Sequence, residues 1–179
     1  EGMIMHVGID IGTTHISASL FKDMKHIEYT GPTFENRRIK STVEGGYEQD
    51  PQAIENSVNS IIASIKEPID SITITGQVHG ILYYDKDYNC VSPLATWLDQ
   101  RSNIIIDGKT ISEHFERETQ HSLPAGFGIL THYANMKLHC VPTTAVGFCG
   151  ILEYITGRLI GHPLTKSDPS CLGTLGCFD

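Results

Sequence analysis

The chain has 179 residues, about the size of one domain, and its 40% hydrophobic and 19% charged residues are typical of a globular protein rather than a disordered one. Its formal net charge of −8 argues against a general nucleic-acid binder and against a protein that binds anionic membranes, because both need a basic surface. The same charge is compatible with a phosphate ligand if Mg²⁺ bridges the acidic protein and the phosphates.

The cysteines and the N-terminus indicate a cytoplasmic protein with no membrane partner. The five cysteines are odd in number and lack CxxC spacing, so free thiols in a reducing cytosol are favoured over disulfides or a zinc site. No apolar run approaches the roughly 20 residues of a membrane span. The N-terminus also lacks the charged-then-apolar pattern of a secretory signal.

The N-terminal segment 7–14, VGIDIGTT, predicts a strand, a tight turn and a returning strand. Its one acidic residue is Asp10, and a buried strand tolerates an aspartate only where it is paired or binds a cation. Gly12, Thr13 and Thr14 would let backbone N–H groups and hydroxyls converge on a small anion. An ordinary hairpin fits equally well, because turns favour the same residue types.

The first part of the chain predicts an antiparallel start to a sheet. Two strands are expected over residues 3–21, and a turn at residues 22–23 leads into a third strand over residues 25–29. Residues 31–47 are polar and glycine-containing, so they are expected to be mostly loop, with one short strand near residues 39–43.

A helix is predicted to begin at Pro51, because Asp50 offers an N-cap carboxylate and proline suits the first helical position. Apolar residues at helical spacing continue to Ile65, and Pro68 ends the helix. The β-branched run 69–75 then predicts a buried strand.

Strands give way to helices in the second half of the chain. After the interruption at residues 76–80, a strand is expected at 81–84, followed by a turn and a short strand ending near Trp97. Three helices are expected afterwards, over residues 103–118, over residues 130–138 and over residues 146–155 with Gly157 as its C-cap, and the remaining residues 161–179 are rich in turns. Strands first and helices interleaved later indicate an α/β mixed sheet covered by helices.

Four motifs in this order resemble those of the FGGY carbohydrate kinases, a branch of the actin, sugar kinase and heat-shock chaperone superfamily. The opening segment is similar to the first phosphate-binding motif of that superfamily. Residues 48–51 (EQDP), 75–80 (TGQVHG) and 96–102 (TWLDQRS) resemble the family motifs EQDP, SGQMHG and WxDxR, with Val78 where many members carry methionine. A looser match joins residues 166–174 to an SDASGT region, and the resemblance covers essentially the whole chain.

The resemblance implies a ribonuclease H-like fold, a mixed sheet flanked by helices, and an ATP-dependent transfer of phosphate to a sugar. Asp10 would hold Mg²⁺, and Gly12, Thr13 and Thr14 would hold the β- and γ-phosphates of ATP. His15 stands where small residues are common in the family and receives no phosphate role.

The same resemblance implies that Gln77, Val78 and His79 line the sugar pocket. For His79 the alternative is a histidine packed under the turn with its hydrogen bonds satisfied. Asp99 and Arg101 would contact polyol hydroxyls, and a local ion pair that orders the loop is an equal alternative.

Four further residues of these motifs have structural interpretations. Trp97 would pack beside the pocket or, as an alternative, in the core. Asp50 is interpreted as a helix cap and Glu48 as part of a loop. Asp168 is interpreted as a turn or capping residue rather than a catalyst.

The resemblance also predicts that residues 1–179 are most of the N-terminal, sugar-binding lobe of a larger kinase. The family's general base is an aspartate in a glycine-rich segment that would follow Asp179, so no catalytic residue is assigned here. The C-terminal nucleotide lobe would be a partner of this one, and the resemblance also allows a homodimer. The 179 residues alone are expected to be inactive.

The preferred substrate is a ketose, with sedoheptulose first, xylulose next and gluconate third. Sedoheptulose is preferred because Gly126-Phe127-Gly128 and the following residues 130–133 resemble sedoheptulokinases more than the other kinases of the family. Two alternatives stay open: a non-catalytic phosphate- or nucleotide-binding module of the same superfamily, and a non-catalytic paralogue that ends naturally. The motifs at residues 48–51, 77–80 and 97–101 favour a sugar site over a pure nucleotide switch.

Overall fold

The computed structural model describes residues 4–23 and 25–176. These divide into two compact units, the first made of the described residues within 4–37 and 52–77 and the second of residues 38–51 and 78–176. The predicted strand start at Met3 and the predicted thiol at Cys177 lie outside the described residues. In chain order the elements are β1 (Met5–Ile11), β2 (His15–Lys22), β3 (Lys25–Ile27), β4 (Phe34–Glu35), β5 (Arg38–Ile39), β6 (Glu48–Gln49), α1 (Pro51–Ser64), β7 (Ser71–Gly76), β8 (Leu82–Tyr84), β9 (Leu94–Ala95), a 3₁₀ helix (Arg101–Asn103), β10 (Ile105–Ile106), β11 (Lys109–Thr110), α2 (Ile111–Thr119), α3 (Gly128–Lys137), β12 (Gly147–Cys149), α4 (Ile151–Ile160) and α5 (Pro169–Leu175).

The first unit contains a mixed sheet in the strand order β3-β2-β1-β7, with β4 also pairing with β2. β1 and β2 are antiparallel and meet at a turn between Ile11 and Ile16, as the sequence predicts. β1 and β7 are parallel, and α1 lies between them in sequence. Alternate residues of β1, namely Val7, Ile9 and Ile11, are buried because successive side chains of a strand face opposite sides.

The predicted start of α1 at Pro51 is confirmed, and the helix ends at Ser64, four residues before Pro68. Its residues Ile54, Val58 and Ile61 are buried, in agreement with the helical spacing of the apolar residues. The capping role of Asp50 stays a prediction.

The strand predicted within residues 69–75 is confirmed as β7, but the prediction that it is buried is wrong. In β7 the residues Ser71, Thr73 and Thr75 are exposed, whereas Ile72 and Ile74 are half-buried. β7 lies at one end of the described strand order, so one of its edges is unpaired within these residues, and the exposed alternate residues show that one face is open. The β-branched residues correctly predicted a strand. They did not predict burial, because threonine is β-branched and also compatible with solvent.

The described residues of the second unit form small sheets, a 3₁₀ helix and the helices α2 to α5. β5, β6 and β9 form one antiparallel sheet, and β8 pairs with β12. Residues of α2 and α3 share a hydrophobic cluster whose buried members are Ile111, Phe115, Leu130, Tyr133 and Ala134. A second cluster joins Ile81 and Tyr83 to Leu175 of α5.

The helix predicted at residues 103–118 is wrong in its first half. β10 and β11 form a hairpin around Asp107 and Gly108, whose φ angles of 53° and 78° suit a two-residue turn of Asp-Gly type. α2 begins only after Thr110, whose side chain accepts a hydrogen bond from the Glu113 N–H. The carboxylate of Glu113 accepts in return from the Thr110 N–H, which completes a capping box.

The end predicted for the helix after residue 146 is also wrong. Gly157 lies inside α4, and Gly161, with a φ of 82°, is the left-handed residue that ends it. Residues 147–149 form β12, a strand that the sequence did not predict. The capping role of Asp168 is confirmed, because its carboxylate accepts a hydrogen bond from the Ser170 N–H at the start of α5.

Cysteines in the described residues are free thiols, namely Cys90, Cys140, Cys149 and Cys171. Among the helices of residues 4–23 and 25–176, none has the length and apolar character that a membrane span requires.

Candidate active site

Asp10 lies near the end of β1 and is exposed, while its neighbours Ile9 and Ile11 are buried on the opposite face. The prediction that Asp10 needs a cation or another partner rests on the assumption that it is buried, and the assumption of burial is wrong. The strand alternation instead places the carboxylate on the open face, two residues before the turn, where a cation can reach it.

The turn after β1 is closed by the Gly12 N–H, which donates to the His15 carbonyl at 2.9 Å. A Cβ atom on Gly12 would lie 2.9 Å from the same carbonyl oxygen, so the glycine permits this close approach. Because its N–H is used within the turn, Gly12 contributes shape, and Thr13 and Thr14 are left as the candidate phosphate ligands. Thr14 is exposed, and its hydroxyl lies 3.1 Å from Nδ1 of His15.

Asn36 is a residue of this turn region that the sequence did not single out. Its side-chain Nδ2 donates to the Gly12 carbonyl at 2.9 Å, and its backbone N–H donates to the Thr14 carbonyl at 2.8 Å. It is only 8% exposed. An asparagine in a polar loop carries no motif, so only the fold brings it to the turn.

Gly76 is the last residue of β7, the parallel neighbour of β1, and lies against the residue that precedes the turn. A Cβ atom on Gly76 would lie 2.2 Å from the Ile11 carbonyl oxygen, and its φ of +144° disfavours other residues. The following Gln77 N–H donates to that carbonyl at 2.9 Å. The glycine of the TGQVHG motif thus allows close contact with the end of β1.

The residues around the turn fit a magnesium–phosphate ligand. In the described part of the chain, no three His, Cys, Asp or Glu side chains group as a metal site. Mg²⁺ commonly takes only one or two protein carboxylates and completes its coordination with water and phosphate oxygens. A single exposed Asp10 beside hydroxyl-bearing Thr13 and Thr14 meets that requirement.

His79, in the second unit, has a left-handed backbone with a φ of 71°. Its Nδ1 lies 2.7 Å from the Thr174 carbonyl, to which only a protonated nitrogen can donate. In the neutral ring Nε2 is therefore an acceptor, which suits a sugar hydroxyl. The ring also packs against Phe127, with centroids 4.4 Å apart, so the predicted packed and hydrogen-bonded histidine is present.

Two glycines bring the chain close to the strand end that precedes Trp97. A Cβ atom on Gly80 would lie 2.5 Å from the Ala95 carbonyl oxygen, and one on Gly126 would lie 2.0 Å from the Trp97 carbonyl oxygen. Trp97 itself is 44% exposed, so its alternative interpretation as a core residue is wrong. Its indole ring is accessible to a ligand.

Asp99 and Arg101 form a buried ion pair, which is the local alternative that the sequence allowed. Asp99 is 1% exposed and Arg101 4%, and the guanidinium Nε donates to Asp99 Oδ1 at 2.8 Å. Arg101 Nη2 also donates to Glu48 Oε1 at 2.7 Å. The interpretation of Glu48 as a loop residue is therefore wrong: it lies in β6 and is a buried partner of Arg101. A direct sugar contact of Asp99 or Arg101 stays a prediction.

This ion pair belongs to a longer polar network. Arg101 Nη1 donates to Asn135 Oδ1 at 2.6 Å, and Asn135 Nδ2 donates to the Tyr83 hydroxyl at 3.1 Å. The hydroxyl in turn forms a hydrogen bond with His132 Nδ1 at 2.8 Å. No sequence motif marks Asn135 or Tyr83, and His132 is considered in the sequence only within the segment 130–133, because the grouping of the three residues depends on how α3 packs.

Burial governs the electrostatics of the network. Burial acts to lower the pKa of Arg101, but hydrogen bonds to Asp99 and Glu48 outweigh it and hold the pKa above its ordinary value. Burial raises the pKa of Tyr83 and lowers that of His132. At neutral pH the network therefore contains a charged guanidinium, a protonated phenol and a neutral imidazole.

The turn geometry and the matching motifs agree with a comparison to known protein families. The profile of the FGGY family of carbohydrate kinases, N-terminal domain, matches residues 5–144. The chain therefore belongs to this family of carbohydrate kinases.

Individual relatives share modest identity. Mouse sedoheptulokinase is 25% identical over 202 aligned residues, which include 97% of this chain and 41% of the relative. The crystal structure of gluconate kinase from Lactobacillus acidophilus matches 98% of this chain with a TM-score of 0.69 and 21% identity. That of xylulose kinase from Rhodospirillum rubrum matches 99% with a TM-score of 0.73 and 19% identity.

The structural similarity confirms the predicted α/β, ribonuclease H-like fold class, which these sugar kinases share. The chain spans about two fifths of the relatives, covering 41% of mouse sedoheptulokinase, 40% of the gluconate kinase and 38% of the xylulose kinase.

Proposed function

We propose that the chain is most of the N-terminal lobe of a kinase that transfers the γ-phosphate of ATP to a ketose hydroxyl. The observation that carries the proposal is the exposed Asp10 beside the Gly12-Thr13-Thr14 turn, in a chain that belongs to a carbohydrate kinase family. In this proposal Asp10 takes Mg²⁺, and Thr13 and Thr14 hold phosphate oxygens.

In this proposal the sugar contacts come from Val78, His79 and Trp97 of the second unit and from Gln77, the last residue of the first unit. His79 Nε2 accepts a hydrogen bond from a sugar hydroxyl, because Nδ1 is held by Thr174. Val78 and the exposed face of Trp97 offer apolar surface to the carbon backbone of the sugar. Gln77 adds an amide beside them in sequence, and the buried Asp99–Arg101 pair holds the loop that carries Trp97.

Phosphoryl transfer needs positioning and charge neutralisation more than covalent help from the protein. A bound Mg²⁺ would neutralise phosphate charge, and the residues of this chain would fix where the phosphates and the hydroxyl lie. The general base is expected from a glycine-rich segment of the longer kinase, together with the nucleotide lobe, and is not assigned to any residue here.

Sedoheptulose is the favoured substrate, followed by xylulose and then gluconate. The similarity to mouse sedoheptulokinase supports the first choice, and the GFG segment at residues 126–128 is consistent with it. The similarity to solved xylulose and gluconate kinases supports the fold but does not rank the sugars.

An ADP-release assay on the full-length protein tests the proposed function. Sedoheptulose, xylulose, gluconate and glycerol are each supplied with Mg-ATP. We expect ADP release with at least one ketose, and with sedoheptulose the highest kcat/KM. Binding of Mg-ATP without ADP release for any sugar would instead favour the non-catalytic nucleotide-binding module.

The role of His79 is tested by His79→Asn, because asparagine tolerates a left-handed φ and can keep the hydrogen bond to Thr174 while losing Nε2. We expect the KM for the sugar to rise about ten-fold, as for one lost ligand hydrogen bond, with the KM for ATP unchanged. His139→Asn is the matched control, since His139 is exposed and also has a positive φ of 55°. An unchanged sugar KM in His79→Asn would remove His79 from the sugar site.

A further inference from the structure

Two carbonyl groups of the turn after β1 point at one residue, Asn36. The side-chain Nδ2 holds the Gly12 carbonyl at 2.9 Å, and the backbone N–H holds the Thr14 carbonyl at 2.8 Å. Short pairing between β4 and β2, which matches His15 with Glu35, fixes the position of Asn36 itself. The turn is therefore held at Gly12 and at Thr14 by a residue that lies 22 positions after Thr14 in the sequence.

The direction of these carbonyls sets the direction of the amides that follow them. In a trans peptide the C=O and the next N–H point in opposite directions. No cis peptide occurs among the described residues. Because the Gly12 and Thr14 carbonyls point towards Asn36, the N–H groups of Thr13 and His15 point away from it.

We propose that Asn36 is a positioning residue that orients the turn amides, those of Thr13 and His15, towards the phosphates of a bound nucleotide. The inference rests on the proposed function, in that it assumes that the turn binds phosphate. With 8% exposure Asn36 is too buried to touch the phosphates and acts through the turn. Preorganised amides stabilise an anion better than mobile ones, because no reorientation is needed on binding.

The proposal separates the roles of three residues. Gly12 permits the close approach to His15, Asn36 sets the peptide planes, and Thr13 supplies an amide and a hydroxyl to the ligand. It also gives His15 a phosphate contact through its backbone N–H, although its ring receives none.

The test uses Asn36→Leu in the full-length protein, because leucine has nearly the shape of asparagine and lacks the donor. Calorimetric binding of Mg-ATP is measured beside the thermal midpoint and the KM for the sugar. Loss of the hydrogen bond to the Gly12 carbonyl is expected to weaken Mg-ATP binding about three- to ten-fold. The sugar KM should stay within about two-fold of the parent value.

Two further variants keep the test decisive. Asn36→Ala removes the same donor with a smaller side chain, so it should weaken nucleotide binding comparably even if Asn36→Leu fits poorly. Asn103→Leu is the matched control, because the Asn103 amide donates only to the exposed Gln100 side chain at 2.8 Å among the contacts described. It should leave Mg-ATP affinity unchanged.

The outcomes distinguish this inference from the proposed function. A lower thermal midpoint with unchanged Mg-ATP affinity in both Asn36 variants would overturn the positioning role while the kinase activity stands. If the Asn36 variants bind Mg-ATP more weakly than the parent, and the parent phosphorylates no sugar, the positioning role is supported and the proposed function is refuted. A parent protein that binds no Mg-ATP would overturn both.

Discussion

Arg101 places one buried cation between two buried carboxylates, Asp99 and Glu48. Asp99 has further partners in the Tyr47 and Arg101 backbone N–H groups, at 2.9 and 3.0 Å. Such a pair contributes little net stability when complete, but removing one member leaves the other charges without compensation. The motif that suggested sugar contacts is thus explained at least as well by loop architecture.

We expect Arg101→Met to lower the free energy of unfolding by about 3–5 kcal/mol, because it leaves two buried carboxylates without their cationic partner. Urea denaturation at pH 7 measures the effect. Arg37→Met is the control, since the Arg37–Glu35 pair is exposed, with side-chain exposures of 82% and 56%, and a surface pair contributes about 0–1 kcal/mol. Equal losses in the two variants would show that Arg101 is not part of a buried network.

Cys149 differs from the exposed Cys140 in its environment. Burial raises the pKa of the Cys149 thiol from its ordinary value of 9.0 to about 12, with the nearby Glu153 carboxylate adding to the shift. Since the thiolate is the reactive form, iodoacetamide at pH 8 should label Cys149 at least about 100-fold more slowly than Cys140. Peptide mass spectrometry of timed samples measures both rates, and comparable labelling in the folded protein would contradict the burial.

The same shift predicts the direction of an alkaline stability change. Above pH 9.0 the unfolded chain releases the Cys149 proton, whereas the folded protein keeps it. The contribution of Cys149 to the free energy of unfolding is therefore constant below pH 9.0 and falls progressively as the pH rises towards about 12. Replacement by serine should reduce this alkaline loss.

At the scale of elements, α2 depends on its capping box. We expect Thr110→Ala to lower the free energy of unfolding by about 1 kcal/mol, because it removes the N-cap acceptor for the Glu113 N–H. Ser60→Ala, within α1, is the control, since its hydroxyl bonds only back to the Asn56 carbonyl among the contacts described and alanine favours helices. A Ser60→Ala loss as large as that of Thr110→Ala would contradict the cap.

The capping box also has a pH signature. Hydrogen bonds from the Thr110 N–H and then its hydroxyl hold the pKa of Glu113 below its ordinary value of 4.5. The unfolded chain therefore takes up a proton first as the pH falls, so the stabilisation is complete above about pH 4.5 and is lost below it. The stability difference between the parent and Glu113→Gln should shrink between pH 7 and pH 3.5 in thermal melts.

Elements with strong local signals could be predicted from the sequence, and elements fixed by packing could not. The start of α1 at Pro51 and the β1–β2 hairpin follow from local chemistry. The Asp107-Gly108 hairpin also carried a local signal, but the apolar spacing of residues 103–118 imitated a helix. Among the residues discussed for each unit, Asp10 and His79 stand in motifs, whereas Asn36 and Asn135 take their roles from partners far away in sequence.

At the scale of the whole molecule, the chain has about two fifths of the length of its relatives. We expect the isolated 179 residues to release no ADP from Mg-ATP with sedoheptulose or xylulose, because the proposed function assigns the nucleotide lobe and the general base to residues outside this chain. The coupled ADP-release assay measures this, with the full-length protein in parallel. Turnover by the isolated chain at a rate within ten-fold of the full-length protein would refute the proposed division of labour.

The two pairings of β1 have different consequences for how the chain folds. The β1–β2 hairpin joins residues as close as Ile11 and Ile16, whereas the β1–β7 pairing joins His6 with Ser71, 65 residues further on. Hairpins form in about 1–10 μs, and distant parallel pairs must first pay the entropy of closing a long loop. We therefore expect the turn that bears Gly12, Thr13 and Thr14 to form early during synthesis. Its contacts with Asn36 and then with Gly76 should form later, because these residues are synthesised after the turn in that order.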